Sequence, residues 1–209
     1  MAQAVIWDLD GTLLDSYGII VDSLHQIYYE KGLDLDKKEI LKDVINESVT
    51  YFIKKVEMEH GIPFEELKDR YSFISGNKKL NIKAMEHAKE ILEYLKDKGI
   101  NNYVFTHRGV TTETVLKNIG LYEYFDDIVT SLDRFARKPS PDGLNYLINK
   151  HHLNKDETYY VGDRPMDIKC ANNAHIKSIM FVPSFSVATP TGEETYLIKD
   201  LLDIKKIKL

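Results

Sequence analysis

Two aspartates two positions apart, Asp8 and Asp10, stand where the apolar run Val5-Ile6-Trp7 gives way to a glycine. Alternate side chains of a strand share a face, so a strand ending here delivers both carboxylates to one ligand, and Gly11 gives the chain the freedom for a sharp exit. Such a pair suits nucleophilic attack, proton transfer or cation binding. Three further clusters follow. Thr106 ends the apolar segment Asn102-Tyr103-Val104-Phe105, where a hydroxyl and the succeeding backbone N–H groups can donate to anionic oxygens. Lys138 precedes Ser140-Pro141, an N-cap and N1 pair, which puts a point cation beside a helix start that already favours anions. Gly162-Asp163 has a second carboxylate, Asp167, four residues on. Taken singly, each has an ordinary reading as an acidic turn, a strand end or a solvated lysine.

The elements that must position these residues are legible from periodicity. From Ser16 to about Leu80 the pattern is helical, with one apolar stripe at Ile20, Leu24, Ile27 and Tyr28 and another at Val49, Phe52, Ile53 and Val56. Asp36 with Glu39 resembles a capping box ahead of a third helix, and a fourth follows Pro63. The polar stretch Ser75-Gly76-Asn77-Lys78-Lys79 is expected to be a connection that closes this insertion. Beyond it, strands at 102–105, 127–130, 158–161 and 178–182 alternate with helices at 84–95, 112–119, 141–151 and 166–174. That alternation predicts an α/β parallel sheet covered on both faces, with ligands gathered at the carboxyl ends of its strands.

Composition narrows the class. A chain of 209 residues is long enough for a substantial core and suits one domain carrying a smaller one. Cys170 is the only cysteine, so no disulfide framework exists. A formal charge of -5 provides no broad basic field, and no nucleic-acid partner is expected. The N-terminal apolar stretch is too short for a signal sequence, and nothing approaches a membrane span, so a soluble cytoplasmic protein is expected. The lysine-rich end, Lys205 to Lys208, reads as a solvated helix terminus.

In their order and spacing the four clusters resemble the haloacid dehalogenase-like hydrolase superfamily, in particular its phosphoglycolate-phosphatase-like branch, and the likeness covers nearly the whole chain. The resemblance implies a Rossmann-like α/β core with helices on both faces, formed by residues 1–15 and 81–209, and an inserted α-helical cap of the C1 type, residues 16–80. It also implies that Asp8 is the nucleophile, that Asp10 is the general acid and base, and that Lys138 stabilises transferring phosphate charge. Mg2+ would be held by Asp8, the carbonyl of Asp10 and Asp163, with Asp167 reaching it through water or orienting another ligand. Thr106, with Gly11, His107, Arg108 and Lys138, falls to phosphate or substrate binding. The Ala174-His175-Ile176 turn departs from the glycine often found there in the family.

The fold hosts several reactions, so the choice rests on residues. A dehalogenase expels halide and has no need of an acid at position 10, whereas an alkoxide leaving group does. The reading is therefore a Mg2+-dependent phosphatase that hydrolyses a small phosphorylated metabolite through an aspartyl-phosphate. A phosphomutase of the same superfamily and a non-catalytic phospho-ligand or protein-binding module are the alternatives. Arg164 reads as an ion-pair residue, and His151-His152 as a helix end. Tyr17, Tyr28 and Tyr71 offer cap contacts or core. The substrate's alcohol and the choice between monomer and homodimer are not written in the sequence.

Overall fold

The computed structural model describes residues 3–208. Along the chain these form β1 (Ala4–Trp7), β2 (Leu14–Asp15), α1 (Tyr17–Tyr29), α2 (Lys37–Asn46), α3 (Val49–His60), α4 (Phe64–Asn77), β3 (Lys83–Ala84) and α5 (Ala88–Asp97). The second part adds β4 (Asn101–Phe105), α6 (Thr112–Asn118), β5 (Asp127–Val129), α7 (Asp142–Lys150), β6 (Thr158–Gly162), α8 (Pro165–Ala174), β7 (Lys177–Phe181) and β8 (Tyr196–Ile198), with short 3-10 turns between. They divide into two compact units, one made of residues 3–15 with 83–208 and the other of Ser16–Ile82.

The larger unit is an α/β fold around a six-stranded sheet in the order β5-β4-β1-β6-β7-β8, every pairing parallel. β1 is central and wholly buried, which explains its unbroken apolar character. The chain builds outward from β1 through β4 and β5 on one side and through β6 to β8 on the other. The strand order thus reverses beside β1, and the loops after β1, β4 and β6 leave the sheet at its carboxyl edge, where sheets of this kind bind their ligands. On one face Leu144, Leu147 and Ile148 of α7 and Cys170, Ala171 and Ala174 of α8 pack against Ile6, Tyr103, Phe105 and Tyr160. The edge strand β8 was not expected from the sequence. It has three residues, and two of them are exposed, so it carries little apolar signal. The ribbon β2–β3 was also unexpected, since two residues per strand leave no period to detect.

The smaller unit contains the four expected helices, whose buried residues form one cluster from Ile20 through Phe52 to Ile74. Their ends follow local chemistry: Asp36 accepts from the Lys38 N–H, Ser48 accepts from the Tyr51 N–H, and Gly61 closes α3 in the left-handed conformation. The stretch expected to be a polar connection at Ser75–Lys79 is a correction. α4 runs through Ser75 and Gly76 to Asn77. A glycine in a helix costs about 1 kcal/mol, and burial of Leu67 and Ile74 on the same helix outweighs that. Among the described residues no helix is long and apolar enough to cross a membrane.

The core sheet contains one buried polar pair next to the site. Trp7, the last residue of β1, donates its indole N–H to Asn102 Oδ1 at 2.9 Å, both residues being buried. Asn102→Leu removes the acceptor and leaves that donor buried without a partner, and urea unfolding is expected to register a loss of about 1–3 kcal/mol.

Candidate active site

Asp8 is the first residue after β1, and its N–H donates to the Val161 carbonyl at 2.8 Å, so the ladder to β6 fixes its backbone. The turn that follows is tight. Gly11 takes φ 85 and donates its N–H to the Leu14 carbonyl, while the Thr12 and Leu13 N–H groups return to Leu9. Gly11, expected at the phosphate or substrate, has its amide engaged inside the turn, and its positive φ shapes the loop. Thr12 has no apolar reason to be fully buried, and its hydroxyl donates to Asp163 Oδ1 at 3.2 Å.

From the other strand ends come Thr106 after β4, Asp163 after β6 and Asp167 in the first turn of α8. Thr106 is buried, with its N–H on the Val129 carbonyl and its hydroxyl accepting from the Arg108 N–H at 3.2 Å. Lys138 arrives on the loop before α7. It is 6% exposed, and its ammonium donates to Asp8 Oδ1 at 2.7 Å and Asp167 Oδ1 at 2.8 Å. Its Nζ also stands 5.2 Å from the ring centres of Phe105 and Tyr160. Asp167 is further held by the Arg164 N–H at 3.1 Å, with the Tyr160 hydroxyl 3.2 Å away. Gly162 packs so closely under Asp167 that any side chain at that position would displace the carboxylate.

Burial sets the electrostatics. Desolvation pushes the Asp8 carboxyl up to about 6, Lys138 pulls it down, and the charge of Asp167 adds to the rise. For Lys138, burial alone lowers the pKa, but Asp167 and Asp8 outweigh it and the net shift is upward, so the ammonium stays charged. The outcome is an ionic bridge between two buried carboxylates with a third, Asp163, beside them.

Asp10 is oriented differently. Its carboxylate accepts from Arg108 Nη2 at 2.6 Å and Nε at 3.2 Å, and Arg108 Nη1 donates to the Thr111 hydroxyl at 3.0 Å. Arg108, expected at the substrate, is thus also the partner of Asp10. His107, expected at the phosphate or substrate, accepts the Lys138 backbone N–H on Nε2 at 2.9 Å. Its ring lies edge-on to Phe105. Reasoning from the sequence missed Thr12 and Tyr160. The first stood inside a recognised motif, and the second was read only as an apolar strand position.

Residues 5–181 match the sequence profile of the haloacid dehalogenase-like hydrolases. A pyrophosphatase PpaX of Halalkalibacterium halodurans is 28% identical, over 99% of this chain and 98% of its own length. A phosphoglycolate phosphatase of Vibrio parahaemolyticus is 26% identical over 90% of this chain and 87% of its own. Among solved structures, that of a predicted phosphoglycolate phosphatase from Haemophilus somnus superposes with a TM-score of 0.88 at 21% identity, covering 100% of this chain and 98% of the other.

Asp8, Asp163 and Asp167 can each turn an oxygen to within 4.8 Å of the others. Three buried carboxylates exceed the charge of one ammonium, and hard oxygen donors are what a small divalent cation takes, so this set fits such an ion. Without metal, the native state keeps the Asp8 proton to higher pH than the unfolded chain, whose carboxyl titrates near 3.8. Stability of the metal-free protein therefore falls as pH rises from about 4 to about 6. A cation competes with that proton, so added Mg2+ is expected to raise the melting temperature markedly at pH 7.5 and little at pH 5, as read by thermal denaturation.

Proposed function

The chain belongs to the haloacid dehalogenase-like hydrolase family, and we propose that it is a Mg2+-dependent phosphatase hydrolysing small phosphate monoesters through an aspartyl-phosphate on Asp8. The observation that carries this reading is the buried bridge from Lys138 to Asp8 and Asp167, beside Asp163 and at the carboxyl edge of the central strand. In this reading residues 16–80 are the family's helical cap, and residues 1–15 with 81–209 are its hydrolase core. The names of the relatives, a pyrophosphatase and phosphoglycolate phosphatases, favour a small phosphorylated metabolite as substrate.

Asp8 presents one oxygen to the phosphorus while Lys138 holds the other, so the attacking carboxylate is fixed before substrate arrives. A new bond forms between the Asp8 oxygen and phosphorus as the ester P–O bond breaks, and the departing alkoxide takes a proton from Asp10. A water then gives its proton to Asp10 and attacks phosphorus. The bond to Asp8 breaks, inorganic phosphate leaves, and both aspartates return to their starting states. The Thr106 hydroxyl and Lys138 offer donors to the phosphoryl oxygens. Asp8, Asp163, Asp167 and the carbonyl of Asp10 would hold Mg2+, which neutralises charge between the two anions that must meet.

Arg108 bears on Asp10, the proton carrier. Its two nitrogens occupy both oxygens of Asp10, so it must yield at least one of them before proton transfer. The pairing orients the carboxylate form of Asp10, which must leave Arg108 and take up a proton before it can serve as the acid.

Phosphate release from a panel of phosphorylated metabolites tests the reading. Purified protein is expected to release phosphate with Mg2+, to stop when the metal is chelated, and to lose at least about a thousandfold in kcat as Asp8→Asn. Full activity in that variant, or transfer between positions of a sugar phosphate in place of release, sinks the assignment.

A further inference from the structure

In the proposed mechanism two donors to the phosphoryl group, Thr106 and Lys138, come from different loops, and the loops must be held in register. His107 touches both. It follows Thr106 in the chain, and its Nε2 accepts the Lys138 backbone N–H at 2.9 Å across 31 positions. That bond identifies the tautomer. A backbone N–H can only donate, so Nε2 has a lone pair, and in a neutral ring the single proton sits on Nδ1. Burial first, then the charges of Lys138, Arg137 and Arg164, drive the imidazole pKa down to about 2, so the ring is neutral at ordinary pH. Arg137 Nη2 lies 3.2 Å from Nδ1 and has only protons to offer, so it adds charge beside the ring rather than a hydrogen bond.

The bond acts on Lys138 at its root. A lysine side chain is long and flexible and has about 2 kcal/mol of rotamer entropy to lose, so holding it by the ammonium alone is costly. Here Asp8 and Asp167 hold the ammonium at 2.7 and 2.8 Å, and His107 holds the backbone. The two carboxylates also serve substrate and cation in the proposed reaction, whereas among the described residues Nε2 of His107 serves Lys138 alone. The ring has a second hold. It lies edge-on to Phe105 at 6.2 Å between centres, and the Phe105 ring stands 5.2 Å from the Lys138 ammonium. Gly143 of α7 makes room for Phe105, since a Cβ at that position would come within 2.3 Å of the ring. The imidazole therefore bears on the lysine backbone directly and on the ammonium through Phe105.

We infer that His107 is a positioning residue, whose imidazole fixes Lys138 relative to Thr106 so that both donors meet one phosphoryl group without reorganising, and that its part is to hold the lysine rather than to bind substrate. This deepens the phosphatase reading and rests on it for the identity of the transferred group. The residue type follows from the task. A side chain here must reach the next loop, pack on an aromatic ring and accept a hydrogen bond. Neutral imidazole does all three, whereas lysine and arginine have no lone pair and leucine has no acceptor. A displacement of about 1 Å in a group that orients the reaction costs about a hundredfold in rate, so the effect is expected in kcat.

Nitrogen-15 NMR of the wild-type protein reads the tautomer with no substitution at all. A neutral ring protonated on Nδ1 is expected at neutral pH, and an Nε2–H tautomer or an imidazolium overturns the inference. In steady-state kinetics with Mg2+ and a phosphate monoester that the wild type hydrolyses, His107→Leu is expected to lower kcat about tenfold or more while KM moves less than about threefold. His107→Gln, whose amide oxygen stands in for Nε2, is expected to restore most of kcat. An unchanged kcat, a rise in KM alone, or a loss that His107→Gln does not relieve overturns the positioning role. Amide hydrogen exchange gives a readout without turnover: the Lys138 N–H is expected to exchange at least about tenfold faster in His107→Leu and to stay protected in His107→Gln. A wild type that hydrolyses no ester yet shows this exchange pattern removes the phosphatase reading and keeps His107 as the anchor of Lys138. An amide equally protected in His107→Leu overturns the anchor itself.

Discussion

Everything in the site depends on one buried ammonium holding two buried carboxylates. Lys138 contacts both Asp8 and Asp167 while almost no solvent reaches any of the three. Desolvating such charges costs several kcal/mol per ion, and their attraction offsets that cost only with close geometry and further hydrogen bonds. The surroundings meet this demand. The rings of Phe105 and Tyr160 face the ammonium, the Arg164 N–H takes the far oxygen of Asp167, and Gly162 leaves room for that carboxylate. If one partner is removed, the others are left as uncompensated buried charge. The arrangement therefore survives as a unit or not at all.

The same constraint accounts for the division of labour between the two leading aspartates. Asp8 follows the central strand and is fixed by its ladder, so it meets Lys138 and the other carboxylates in a dry place. Asp10 lies beyond the strand end, half out of the core, where Arg108 reaches it. In the proposed mechanism the first carboxylate is thus held still for attack, and the second is held by a partner that must be displaced, as a proton carrier requires. Their two-residue spacing gives them a shared direction, and their different depth gives them different chemistry.

Much of this was written in the sequence, for a physical reason. Residues at the carboxyl ends of buried parallel strands show as polar punctuation after apolar runs, which is why Asp8, Thr106 and Asp163 stood out. Asp167 and Lys138 were found through their spacing to these motifs and to a helix start. What was not legible depends on three-dimensional proximity. Tyr160 read as one more strand residue, yet its hydroxyl lies by Asp167, and Thr12 gains its partner from 151 positions away. The partnership of Arg108 with Asp10 and the orientation of His107 were equally hidden, because side-chain direction after a strand end is set by the loop rather than by period. Short elements failed for another reason: β2, β3 and β8 are too brief to carry a pattern. Gly76 misled because a local helix breaker was overruled by packing elsewhere on α4.

The central claim is that Asp8, held by Lys138, is the atom donor to phosphorus. Rapid acid quenching during turnover, followed by peptide mass analysis, addresses it directly in the wild type and in Lys138→Met. The account predicts a phosphoryl group on the peptide bearing Asp8 in the wild type and its loss in the variant. A phosphoryl group on any other residue, or labelling of Asp8 as fast in Lys138→Met as in the wild type, would contradict it.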